Sequence, residues 1–132
     1  FASNWAGNDP AAAAAWTLTV PADQQASSVS QVSRSWLEHD LDGATQWIAG
    51  LPQGNPRQEA VNQLVDRVWR IDPEAAFEWS MELQDEQRRS RQNTRIVNEW
   101  IKRGETTLAR RQIENSRLSP TEKETLIKRL EQ

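Results

Sequence analysis

Apolar positions along this chain recur at helical spacing, and the whole pattern then recurs about 32 residues later. The i, i+4 pairs Val32/Trp36, Val65/Trp69 and Ile96/Trp100 repeat one another, and Phe1/Trp5 continues the series towards the N-terminus. A second series runs through Trp16, Trp47 and Trp79, so every tryptophan in the chain belongs to one series or the other. Self-similarity at a fixed period of this length marks helical pairs stacked in tandem. The pattern predicts an all-α chain of about seven helices, among them the end of a truncated upstream repeat at residues 1–8.

Turn chemistry places the helices. One helix of each pair, helix A, is predicted to start at Asp9-Pro10, at Asp40 to Asp42, at Asp72-Pro73 and at Gly104-Glu105. Asp suits the cap position and Pro the first helical position, where its missing N–H has no intrahelical partner to lose. Within helix A, Ala13, Ala44, Ala76 and Leu108 stand three residues before Trp16, Trp47, Trp79 and Arg111, and Val20, Leu51 and Leu83 follow the indoles by four. Helix B is predicted to start near Asp23, at Asn55-Pro56-Arg57-Gln58, near Asp85, and at Ser119-Pro120-Thr121-Glu122, the second and fourth reading as capping boxes. Its buried face is expected to carry Val29/Val32/Trp36, Val61/Leu64/Val65/Val68/Trp69, Ile96/Val97/Trp100/Ile101 and Leu126/Ile127/Leu130. No segment alternates long enough to predict a strand.

A single helical-repeat domain over 1–132 follows, with repeats at 9–39, 40–71 and 72–103 and a degenerate capping repeat at 104–132. In that last repeat Arg111 takes the tryptophan position and helix B turns rich in Lys and Glu, as suits the polar outer face of a terminal repeat. Apolar residues are 36% of the chain, which is thin for a globule, but seven indoles can each bury about 150–250 Å² and seat a layer between helices. The chain has no cysteine, which excludes disulfides and thiolate metal sites and leaves the compartment open.

Paired helices of this length, Ala ahead of an aromatic in helix A, and Pro-marked helix starts resemble the tetratricopeptide repeat and related α-hairpin superhelices. The resemblance covers the whole chain but not the consensus in detail, since that family has a Tyr in a fixed place and a 34-residue period, whereas this chain carries Trp, no Tyr at all and a shorter repeat. It implies a right-handed α-hairpin repeat solenoid whose A helices line an inner surface and bind a protein or peptide partner. It carries over no catalytic residue.

Charge divides the chain. Residues 1–83 hold 4 basic and 11 acidic side chains, a net −7, whereas residues 84–132 hold 12 basic and 8 acidic, a net +4. On the A helices, the positions opposite the tryptophan stripe include Asp42 and Gln46, then Glu74, Glu78 and Glu82, then Arg110. These six are the candidate partner-binding residues, with the glutamates as charge partners of a basic peptide. The rival candidates are Arg88, Arg89, Arg91 and Arg95, which would form a patch for nucleic acid or another anionic surface. Interspersed carboxylates and a pI of about 5.2 make nucleic acid the weaker expectation. The Phe1/Trp5 end, together with the charge asymmetry, offers a further route, head-to-tail self-association.

The chemistry of catalysis is thinly represented. His39 is the only histidine, and its place in Glu38-His39-Asp40 at a helix end suits the helix dipole better than a metal. Glu78 and Glu82 are one turn apart, with no apolar pocket implied to shift either. No catalytic residue, metal site or cofactor is expected. No apolar run nears the roughly 20 residues that span a bilayer, and residues 1–20 lack the basic start and apolar core of a secretory signal.

Overall fold

The structure is a computed structural model and describes residues 10–17 and 19–132; Phe1, Trp5 and the expected half-repeat at 1–8 lie outside the described residues. Eight α-helices and no strand occur among those described: α1 (Pro10–Thr17), α2 (Ala22–His39), α3 (Leu41–Ala49), α4 (Asn55–Val68), α5 (Pro73–Ser80), α6 (Glu86–Lys102), α7 (Thr106–Glu114) and α8 (Pro120–Leu130). The all-α class holds. The eight are two for each of the four predicted helix pairs, against an expected total of about seven that included the half-repeat. The odd-numbered helices, 8 or 9 residues long, are the A helices; the even-numbered ones, 11 to 18 residues, are the B helices.

The chain divides into two compact units between Leu64 and Val65, inside α4. In the first, α2 packs against both α1 and α3, and Trp16, Trp36 and Trp47 gather over Ala13 and Val32. Trp36 and Trp47 stack with ring centroids 5.4 Å apart. In the second, α5 packs on α6, and α6, α7 and α8 pack on one another. Phe77 meets Trp100 there at 5.5 Å and a 58° tilt, within the range aromatic pairs prefer.

Aspartates and a serine set the helix starts as expected. Asp40 Oδ1 accepts the Gly43 N–H at 3.1 Å and Asp72 Oδ1 that of Ala75 at 3.2 Å. Asp85 Oδ1 accepts from Gln87 and Arg88, and Ser119 Oγ from Glu122. Each satisfies first-turn amides that have no partner inside the helix. Asn55 is the first residue of α4 rather than its cap; the Gln58 N–H bonds to the Gly54 carbonyl instead. At the far end of α6, Gly104 adopts φ 73°. Its N–H reaches the Ile101 carbonyl and that of Glu105 reaches Trp100, the paired closure of a Schellman turn.

The buried register of the A helices lies one residue away from the tryptophans. Ala13, Ala44, Ala76 and Ala109 are fully buried, and so are Thr17, Ile48, Ser80 and Ile113 four residues on. Trp16, Trp47 and Trp79 sit beside this stripe, half-buried. The expectation of an indole interior is therefore narrowed on the A helices: close helix approach admits Ala at its tightest point, and Trp16, Trp47 and Trp79 lie at its edge. In the last repeat Ala109 and Gln112, not Leu108 and Arg111, occupy the equivalent positions, and Arg111 is exposed.

The B helices show the same one-residue shift at a single place. The N–H of the residue that caps the next A helix bonds to the carbonyl of Trp36 (from Asp40), of Val68 (from Asp72) and of Trp100 (from Glu105). Trp36, Val68 and Trp100 are thus equivalent, and Trp69 is displaced by one from the series. Val68 takes the buried place while Trp69 is half-buried. Ile101, expected on the buried face, is 37% exposed.

Each of the four described helix pairs is tied by a donor from the start of helix B to a carbonyl at the end of helix A or in the turn that follows it. Gln25 Nε2 reaches the Val20 carbonyl. Arg57 Nη1 reaches those of Ile48, Ala49 and Leu51 at 3.1, 3.0 and 2.7 Å. Arg89 Nη1 reaches that of Leu83 at 2.6 Å, and Lys123 Nζ that of Glu114 at 3.0 Å. Arg57 is 8% exposed, so its cation is stabilised by carbonyl dipoles in place of water.

Two stability outcomes follow. Arg57→Met, which keeps most of the volume, removes three charge-assisted hydrogen bonds to carbonyls at the end of α3 and in the turn after it and lowers the unfolding free energy by about 2–3 kcal/mol in urea titration. Gly104→Ala meets no atom within 4 Å, so its loss of about 1 kcal/mol is backbone strain alone.

Candidate functional site

The acidic surface of the second unit is built by α5. Pro73, Ala76, Phe77 and Ser80 are buried, which turns Glu74 and Glu78, one helical turn apart, to the outside, where both are exposed. Ser80 Oγ pins the inner side by donating to the Phe77 carbonyl at 2.7 Å and bonding Asn93 Oδ1 at 2.6 Å across to α6. Glu74 Oε1 accepts a hydrogen bond from Gln112 Nε2 of α7 at 3.1 Å. The Glu78 carboxylate makes no hydrogen bond or ion pair among the described residues. Glu82, past the end of the helix, is half-buried and engaged.

Arg110 does not join that surface. Its guanidinium turns to Glu114 at 3.8 Å and Glu131 at 3.6 Å, at the end of α8. In the first unit Asp42 and Gln46 are exposed on α3 one turn apart. Of the six partner-binding candidates, Glu74 with Glu78 and Asp42 with Gln46 are therefore brought together as pairs.

The basic run disperses around α6. Arg89 points inward: Nε and Nη2 donate to the two Glu122 oxygens, each at 3.0 Å, and the pair is only 18% and 16% exposed. A fork of this kind is the strongest ion-pair geometry available to arginine. Arg95 turns to α4, donating to Asp66 Oδ1 at 3.0 Å and lying 5.2 Å from the Trp69 ring centre. Arg88 is half-buried, and Arg91 is exposed beside Glu86, Gln87 and Ser90. The four arginines thus face at least three different neighbourhoods and form no single patch.

Hydrogen bonds link successive B helices at about the repeat spacing. Gln63 Nε2 donates to Ser30 Oγ, Arg95 to Asp66, Arg89 to Glu122, and Arg129 to Asn98 Oδ1. These partners were missed in the sequence because each residue alone reads as ordinary surface polarity. Only their spacing of 29 to 33 residues was available as a signal. Between α6 and α8, beside the Arg89–Glu122 fork, a cavity of about 110 Å³ is lined by Glu86, Ser90, Asn93, Thr121, Thr125 and Leu126.

His39 is exposed, with Nδ1 donating to the Ser35 carbonyl at 2.7 Å, the C-terminal placement expected of it. No group of three or more His, Asp or Glu side chains gathers as a metal site among the described residues, and no described helix is long and apolar enough to cross a membrane. The chain matches no family model, no curated protein and no solved structure.

The hydrogen bonds from Arg89 hold the Glu122 carboxyl below the ordinary value of 4.5, and Glu122 in turn raises Arg89. The Arg88 backbone N–H is the main cause of a lowered Asp85. A carboxyl whose folded pKa is depressed contributes stability above its unfolded value and loses it as pH falls through the folded one. Unfolding free energy therefore declines from roughly pH 5 towards pH 3. In Glu122→Gln that decline is shallower, as urea titrations at several pH values check.

Proposed function

We propose that this chain is a protein-interaction module, an α-hairpin repeat solenoid of the tetratricopeptide type that serves as scaffold or adaptor for a basic peptide segment of a partner. The observation that carries the reading is α5. Its inner face is filled, and its outer face presents Glu74 and Glu78 in line, the second without a partner among the described residues. Two carboxylates one turn apart match Lys or Arg side chains along an extended peptide, and the field of an acidic surface speeds their encounter. The recurring hairpin ties and the B-helix bonds at repeat spacing support the repeat reading. The exposed pair Asp42 and Gln46 on α3 is the corresponding surface of the preceding repeat.

Isothermal titration of a Lys/Arg-rich peptide against the wild type and a Glu74→Lys/Glu78→Lys variant tests this. The expected result is an affinity lower in the variant by about tenfold or more at low salt, since two exposed ion pairs contribute up to about 1 kcal/mol each and become repulsive. Equal affinities would remove the assignment.

A further inference from the structure

Trp69 is half-buried beside the inner Val68, and two guanidiniums lie near its ring. The Arg70 guanidinium lies 4.8 Å from the ring centre and that of Arg95 5.2 Å, distances at which the π face holds a cation. Arg95 is also paired with Asp66, the two side chains 44% and 40% exposed. Arg70 is exposed, pairs with no carboxylate among the described residues, and is held against the ring. Its backbone is fixed as well, because Arg103 donates a hydrogen bond to the Arg70 carbonyl. The Ile71 and Asp72 N–H groups both bond to the Val68 carbonyl. On this rigid turn Ile71 is 56% exposed, more than any other large apolar side chain of the described residues.

We propose that Trp69, Arg70 and Ile71, with Arg95 beside them, form a docking surface for an acidic, apolar segment of a partner protein, a second site opposite in charge to the α5 surface and independent of it. A ring-stacked arginine has already lost most of its rotamer freedom, so a carboxylate bound by its fork gains pairing at little entropic loss. The exposed Ile71 and the uncovered part of the indole supply the apolar contact that makes Trp and Arg the usual centres of protein interfaces. Charge complementarity selects the carboxylate. The same neighbourhood disfavours nucleic acid: the guanidiniums occupy the ring that a base would stack on, and Asp66 stands among the cations.

A fluorescein-labelled peptide alternating Asp or Glu with Leu or Phe is titrated by anisotropy against the wild type, Arg70→Glu, Ile71→Asn and Glu74→Lys/Glu78→Lys, with circular dichroism confirming that each variant is folded. Saturable binding is expected, weakened about tenfold or more by Arg70→Glu and about threefold by Ile71→Asn. The Glu74/Glu78 variant is expected to bind unchanged, which separates this site from the α5 reading. Three results overturn the proposal: no saturation, equal affinity in Arg70→Glu, or a single-stranded oligothymidine bound as tightly with Ile71→Asn neutral. Sedimentation in which the peptide acts only by dissociating copies of the chain would assign the surface to self-association instead and overturn it too.

Discussion

In each of the four described helix pairs a side chain from the start of the second helix donates to a carbonyl at the end of the first helix or in the turn just after it. Gln25, Arg57, Arg89 and Lys123 are different residues at corresponding places, and what they share is reach and an N–H donor. Tight backbone turns satisfy last-turn carbonyls of the 8- or 9-residue A helices, and the side-chain bond ties the start of helix B to that end. Where the donor is also a full cation, it can do more. Arg89 spends one nitrogen on Leu83 and two on Glu122, so a single side chain closes its own hairpin and holds the next B helix in register.

Given hairpins closed in this way, the helices come together on their smallest residues. Four alanines are completely buried at corresponding positions of the A helices, and no indole could occupy those places without prying the helices apart. Trp16, Trp47 and Trp79 therefore lie along the edges of the contact, where a large flat ring covers area without entering it. Among the described residues Trp100, packed against Phe77, is the tryptophan that is completely buried. Trp69 is the opposite case: Val68 has taken its inner place, and the ring it leaves half-uncovered collects arginines.

Surface chemistry follows from the same economy of faces. A short helix with one filled side has an outer side to offer, and on α5 that side is acidic because Glu74 and Glu78 are the residues the stripe excludes. The basic residues of α6 outnumber the available inner contacts, so they are shared out. Arg89 goes to α8, Arg95 to α4 and Trp69, and Arg91 stays outside.

The helices were legible in the sequence because local forces place them: Asp and Ser caps, Pro at first helical positions and the 3.6-residue stripe act within a few residues of one another. The acidic pair Glu74/Glu78 was legible for the same reason, being a spacing on one helix. Which neighbour of a stripe turns inward was not, since Trp79 and Ser80 differ by 100° of helix rotation and only the partner helix's shape chooses between them. Nor were the fates of the arginines, because a side chain that can span two helices finds its carboxylate or carbonyl only once tertiary packing brings it within about 3 Å. The sequence by itself determined the helices and their spacing along the chain; the packing of one helix on another decided which tryptophans were buried, which arginines were tied, and which were left exposed.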